Sequence, residues 1–216
     1  GKKDLENGIT AVSAGNHAIA ASYVANQFHL KNKIYIYENA NPYRVNICKN
    51  LNANIIFTNA DKAFQNVKNA EDEGYTFIHP FEDKNTLQGS ASLGFEIINQ
   101  LKGINKKIDN IVIAVGGGGL VSGLGSLIKQ VYPDTRVIGV EPLLANGMTE
   151  SIKIDTPLSK VTISSIADSL CAPLHMPYSF SIAKNVIDEM INVTEEEIKE
   201  SMIFAFNNLK LLLEPA

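Results

Sequence analysis

The sequence predicts an α/β fold in which open, mostly parallel sheets are arranged in two lobes. Three observations carry that prediction. Short β-rich runs alternate with longer amphipathic ones from end to end, the pattern of βαβ units. The length of 216 residues, 45% of them hydrophobic, suffices for one full core or two modest lobes. Finally, two small-residue turns, SAGNHA at 13–18 and GGGGL at 116–120, each stand between a strand-like and a helix-like segment, where an open parallel sheet holds its ligands.

Taken in order, Ile9 to Val12 is a β-branched run and reads as the first strand, followed by a helical pattern from Ala18 to Phe28. Strands at Lys33 to Tyr37, Asn54 to Phe57 and Tyr75 to Ile78 are separated by helical patterns at Tyr43 to Leu51 and Asp61 to Glu73. The second half repeats the theme. A helix from Thr86 to Leu101 precedes a strand from Asn110 to Val115, a helix from Leu120 to Val131 and a strand from Arg136 to Glu141. A strand from Met190 to Val193 then leads into a last helix reaching about Leu213. Thr194 and Glu197 form the pattern of a capping box at its start, worth about 1 kcal/mol. We expect a small α/β domain over 8–80 carrying the SAGNHA turn, and part of a larger α/β domain over 81–216 carrying the glycine turn.

Charge and cysteine usage narrow the function classes. A formal charge of -4, with 19 basic residues scattered rather than striped, gives no footprint for nucleic acid, and a small-molecule partner is the default. The two cysteines, Cys48 and Cys171, lack CxxC spacing and a neighbouring histidine, so neither a zinc site nor a disulfide framework is indicated and a reducing, cytosolic setting is expected. No apolar run approaches the roughly 20 residues of a membrane span. The segment GKKDLENG lacks the apolar core of a signal peptide.

Four consecutive glycines, Gly116 to Gly119, carry an entropic cost that is tolerated where backbone must approach a ligand or turn through positive φ. With N–H groups converging on a helix start, phosphate is the natural guest. The Walker spacing fails, since no glycine is followed by Lys and Ser or Thr at the required offset. The dinucleotide fingerprint is a near match. Gly117 and Gly119 take its first two places, Ser122 replaces the third, and Glu141 ends the next strand where a ribose-binding acid would lie, so a nicotinamide-dependent oxidoreductase stays open. In SAGNHA, the bland reading is a helix start capped by Ser13 or Asn16 with His17 beside the core. The functional reading is a cradle for a carboxylate and a hydrogen-bonded ring substituent. A cofactor with a phosphate at one end and a substrate carboxylate at the other needs both cradles.

SAGNHA, PFEDKNTLQGS, VGGGGLVSG, VEP, SIADSL and LLLEP follow one another in an order that resembles the threonine/serine dehydratases of the fold-type II pyridoxal-phosphate enzymes, relatives of serine racemase with a tryptophan synthase β-like fold. The resemblance covers essentially the whole chain. It implies that Asn16 binds the ring hydroxyl of pyridoxal phosphate, that Ser13, Ala14, Gly15 and His17 accept the substrate carboxylate, that Gly116, Gly117, Gly118, Gly119 and Leu120 wrap the cofactor phosphate, and that Glu214 lies beside the pyridine ring. It further implies β-elimination of L-threonine or L-serine to a 2-oxo acid and ammonia, a role of the kind found in isoleucine biosynthesis, and a cytoplasmic homo-oligomer. Serine racemases place a second serine where this chain has Ala14, which favours elimination over racemisation. Some relatives hold a divalent cation through the acid of VEP, here Glu141, although Ala145, Asn146 and Gly147 leave its oxygen set incomplete.

The resemblance also sets an expectation about extent. Its Schiff-base lysine belongs to a motif well upstream of the first turn, Lys2 and Lys3 stand too close to Ser13 to replace it, and the segment contacting the pyridine nitrogen would follow Ala216. The sequence thus reads as a piece truncated at both ends, catalytically inactive by itself. Of the other histidines, His29 reads as a helix-end cation, His79 as a strand-end residue and His175 as a loop residue.

Overall fold

The computed structural model describes residues 6–13 and 15–216, with Ala60 and Asp61 described in their backbone only. Lys2, Lys3 and Ala14 fall outside the described residues. The chain divides into two compact units, Gly1–Pro80 and Phe81–Ala216.

In the first unit, strands β1 (Ile9–Val12), β2 (Asn32–Tyr37), β3 (Ile55–Thr58) and β4 (Thr76–Phe77) alternate with helices α1 (Asn16–Gln27), α2 (Pro42–Asn50) and α3 (Ala60–Asp72). The sheet order is β3-β2-β1-β4 and every pairing is parallel, with Val12 opposite Tyr35 at the carboxyl ends of the two central strands. Both faces of the sheet are covered, and the period-2 alternation of the strands divides their side chains between them. Ile9, Ala11, Ile34 and Ile36 pack with Ala18, Ala21 and Ala25 of α1 and Val45 and Cys48 of α2. Val12 and Tyr35 turn the other way, onto Ala63, Val67 and Ala70 of α3. The alanine stripe of α1 lets that helix lie close against β1, which fixes the turn joining them.

The second unit contains α4 (Lys84–Gly103), β5 (Asn110–Ala114), α5 (Gly119–Val131), β6 (Arg136–Pro142), α6 (Gly147–Lys153), α7 (Pro177–Val186), β7 (Glu189–Val193) and α8 (Glu195–Phe204). Its sheet has the order β5-β6-β7, again all parallel. One core joins Ile113 and Val137 of the strands to Ile98 of α4, Val121, Leu124 and Ile128 of α5, Met148 of α6 and Phe180, Ala183 and Val186 of α7. The fold is thus α/β with parallel sheets, as the alternation of elements predicts.

Two differences have physical causes. The final helix stops at Phe204 and passes through a π-helical turn, Ala205–Leu209, before Lys210 adopts a left-handed conformation at φ 56°. The leucines of 211–213 therefore run on as non-helical chain, where the sequence suggests helix to Leu213. The stretch between β6 and β7, read as having no regular element, holds α6 and α7. The capping box at α8 is present in full: Thr194 and Glu197 each bond the other's backbone N–H, at 3.2 and 2.7 Å.

Candidate functional site

The first cradle lies at the carboxyl end of β1. Ser13 extends the ladder by one bond, its N–H donating to the Tyr35 carbonyl at 3.0 Å, and its hydroxyl accepts from the Gly15 N–H at 3.0 Å. Gly15 is the N-cap of α1 and offers no side chain, so neither Ser13 nor Asn16 caps the helix as the bland reading expects. The Gly15 carbonyl takes the N–H of Ala18 at 3.0 Å. The N–H groups of Asn16 and His17, in the first turn, have no intrahelical acceptor by construction. Asn16 is exposed at the first helical position.

His17 is half-buried, and its Nε2 lies 2.8 Å from the Ile78 carbonyl. A carbonyl can only accept, so Nε2 carries the proton. Burial pulls the pKa of this imidazole below its usual value, more than the carbonyl raises it, and the ring is neutral with Nδ1 as an acceptor. A carboxylate at His17 would therefore have to be met by the backbone N–H and not by the ring. Ala14, which the resemblance assigns to the same carboxylate, lies outside the described residues.

The second cradle is the turn from β5 into α5. Gly118, the N-cap of α5, has φ +91° and ψ -7°, a left-handed conformation that costs a β-substituted residue roughly 1–2 kcal/mol. The neighbouring glycines are required by proximity. A Cβ on Gly117 would stand 2.3 Å from the Phe81 ring and one on Gly116 2.8 Å from the Leu170 carbonyl oxygen. Gly119 meets the backbone of Phe81 in the same way, at 2.7 Å. Four residues without side chains thus run over Phe81, Leu170 and Met148 and end at a helix start whose cap supplies no side-chain oxygen. The first N–H groups of α5 lack intrahelical acceptors, and the helix dipole adds partial positive charge at the same place. This arrangement fits a phosphate ester. Leu120, the next residue, is partly exposed on α5.

The carbonyl side of this turn is anchored by residues that sequence reasoning leaves aside. His175, 5% exposed, hydrogen-bonds the backbone of Gly116, and its Nδ1 lies 2.8 Å from the Ser151 hydroxyl. Burial again lowers the pKa, outweighing the Gly116 bond. The neutral ring gives its Nε2 proton to the Gly116 carbonyl and takes the Ser151 proton on Nδ1. Ser179 Oγ lies 3.4 Å from the Gly117 carbonyl oxygen, and the Ser179 carbonyl accepts from Ser122 Oγ at 2.8 Å. Glu82 holds the start of α7, accepting from the N–H groups of Tyr178 and Ser179 at 2.9 and 2.8 Å. A sequence signal for α7 exists: Pro177 stands at its first turn, a preferred position for proline.

Glu141 is not the salt-bridge partner or cation ligand considered from the sequence. It is 1% exposed, and its carboxylate accepts from the Met148 N–H at 2.8 Å and from the Thr149 N–H and hydroxyl at 2.7 and 2.6 Å. Both oxygens are committed to the start of α6, which removes the acid required by the ribose reading too. Among the described residues no group of three or more His, Cys, Asp or Glu side chains is arranged to hold a metal. Glu214 lines a cleft of about 260 Å³ with Ala114, Val140, Leu170, Val193 and Met202, at the carboxyl ends of β5 and β6. Among the described residues no helix is long and apolar enough to cross a membrane, and Cys48 and Cys171 are free thiols.

Known proteins share this arrangement of elements. The model of the family described as pyridoxal-phosphate dependent enzyme matches residues 2–216. The chain is 36% identical over 211 residues to a phenylserine dehydratase of Ralstonia pickettii, covering 97% of this chain and 64% of that protein. It is 28% identical over 218 residues to an L-threonine ammonia-lyase of Geobacter sulfurreducens, covering 100% of this chain and 53% of the relative. The chain therefore spans between half and two thirds of these relatives. Among solved structures, maize serine racemase superimposes with a TM-score of 0.91 at 27% identity, over 100% of this chain and 65% of that one. A threonine deaminase of the bacterium abbreviated T.th. gives 0.90 at 28% identity, over 97% and 69%.

Proposed function

This chain belongs to the pyridoxal-phosphate dependent enzyme family, and from that premise we propose that the whole protein removes water and ammonia from a β-hydroxy amino acid, L-threonine or L-serine, leaving a 2-oxo acid. The observation that carries the reading is the side-chain-free turn Gly116–Gly119, delivered by β5 to the uncapped start of α5. Relatives named threonine ammonia-lyase and phenylserine dehydratase support the reaction class.

Each residue then has a task. The N–H groups of the glycine turn and of Leu120 hold the cofactor phosphate. Asn16 meets the ring hydroxyl, and the backbone N–H groups of the Ser13–His17 turn hold the substrate carboxylate. The neutral His17 ring braces that turn against the Ile78 carbonyl. Glu214 borders the pyridine ring. When bound, pyridoxal phosphate supplies an electron sink for the pair left by loss of the α-proton. The phosphate, fixed by the glycine turn, stands ready to protonate the leaving hydroxyl. The lysine that attaches the cofactor lies outside this sequence, and the protein works in the cytoplasm as a homo-oligomer.

Racemisation is the second reading, favoured by the likeness to maize serine racemase. One experiment separates the two. The whole protein, supplied with pyridoxal phosphate, is given L-threonine, L-serine and phenylserine, and ammonia, 2-oxo acid and D-serine are measured. Stoichiometric ammonia and 2-oxo acid are expected, with loss on Asn16→Ala. D-serine as the main product would overturn elimination in favour of racemisation, and no turnover of any of the three would overturn both.

A further inference from the structure

The glycine turn is tied down on its carbonyl side by a buried polar cluster from the segment that opens α7. Ser122, Ser151 and Ser179 are 0% exposed and His175 5%, an unusual concentration of polar groups in a core. Each has a partner. The Ser151 hydroxyl accepts from the Leu158 N–H at 3.1 Å and faces His175 Nδ1 at 2.8 Å, while the opposite ring nitrogen serves the Gly116 backbone.

A trans peptide is planar, so its C=O and N–H point in opposite directions. Binding the Gly116 carbonyl fixes the N–H of Gly117 on the other side of the strand of chain. The contact from Ser179 Oγ to the Gly117 carbonyl does the same for the N–H of Gly118. Glycine peptides rotate more freely than any others. Without an external hold, a run of four would sample many N–H directions and lose part of its grip on an anion.

From this geometry, and resting on the reading of the turn as a phosphate cradle, we infer that His175 is a positioning residue: held by Ser151, it binds the Gly116 carbonyl and thereby aims the N–H of Gly117 at the cofactor phosphate. No contact between His175 and the cofactor is required. Its effect is confined to the phosphate end of the ligand, and that confinement makes it separable from a general packing role.

The test measures binding of pyridoxal phosphate and of phosphate-free pyridoxal to the whole protein by calorimetry, in wild type, His175→Leu, His175→Gln and Ser151→Ala, with thermal melting of each ligand-free protein. Leucine fills the volume without a donor, whereas glutamine keeps an N–H at nearly the place of Nε2. His175→Leu is expected to weaken pyridoxal phosphate binding about 10-fold and to leave pyridoxal unchanged. His175→Gln should restore most of the loss, and Ser151→Ala should show a smaller loss confined to pyridoxal phosphate. An unchanged preference for pyridoxal phosphate in His175→Leu, an equal loss for both ligands, or no rescue by glutamine would overturn the inference. If His175→Leu does not fold, Ser151→Ala decides, and an unaltered preference there overturns it. A wild type that shows no preference for the phosphorylated ligand would overturn the functional reading itself, and this inference with it.

Discussion

Glu141 and Thr149 are joined twice: one carboxylate oxygen accepts from both the backbone N–H of Thr149, at 2.7 Å, and its hydroxyl, at 2.6 Å. The other oxygen takes the Met148 N–H, so the end of β6 is stitched to the start of α6 by a buried acid. Glu141→Gln would turn an amide NH₂ toward one of these donors. We predict a loss of about 1–3 kcal/mol in unfolding free energy, measured by urea denaturation at neutral pH.

Glu82 performs the same service for α7 through Tyr178 and Ser179. Because Ser179 also approaches the Gly117 carbonyl, Glu82→Ala should both destabilise the protein, by about 1–2 kcal/mol, and weaken pyridoxal phosphate binding. A stability loss with unaltered cofactor affinity would show that α7 and the glycine turn are uncoupled.

Gly118→Ala isolates backbone strain from crowding. The atom nearest its new Cβ would be the Met148 methyl at 2.8 Å, the mobile end of a flexible side chain, so the main cost is the conformation at φ +91°. Roughly 1–2 kcal/mol of stability should be lost, with a lower affinity for pyridoxal phosphate, read by denaturation and calorimetry on the same sample.

Stability should fall on the acid side of the histidine range. Burial lowers the pKa of His17 and His175 below 6.5 in the folded protein, so between those lowered values and 6.5 the unfolded chain binds more protons than the folded one. Their contribution is complete above pH 6.5 and is lost as pH falls through that window. Glu141, raised above 4.5 mainly by burial, has the opposite sign where the windows overlap, so the clean measurement is a difference. The pH dependence of unfolding between 5 and 7.5 should be shallower in His175→Gln than in wild type.

The strands and most helices are legible because local hydrophobic period determines them: β1, β2 and β6 are buried β-branched runs, and α5 shows its apolar stripe beside the glycine turn. The capping box of α8 is legible for the same reason, since its two partners are three residues apart. Distance along the chain hides the rest. His175 reads as a loop residue until folding brings it to Gly116, 59 positions earlier, and Glu141 reads as a ligand until α6 supplies its donors. The end of α8 misleads because a leucine-rich tail continues the helical pattern beyond the π-helical turn, where Lys210 turns left-handed. The glycine turn is recognisable as a close approach, but the sequence does not say that Phe81 and Leu170 are the surfaces approached.

The central claim is that the turn Gly116–Gly119 grips a phosphoryl group. The most direct measurement is the affinity of the whole wild-type protein for pyridoxal phosphate and for pyridoxal, side by side at one pH and ionic strength. The account predicts at least about 100-fold tighter binding of the phosphorylated form, the worth of two charge-assisted hydrogen bonds. Equal affinities would contradict it.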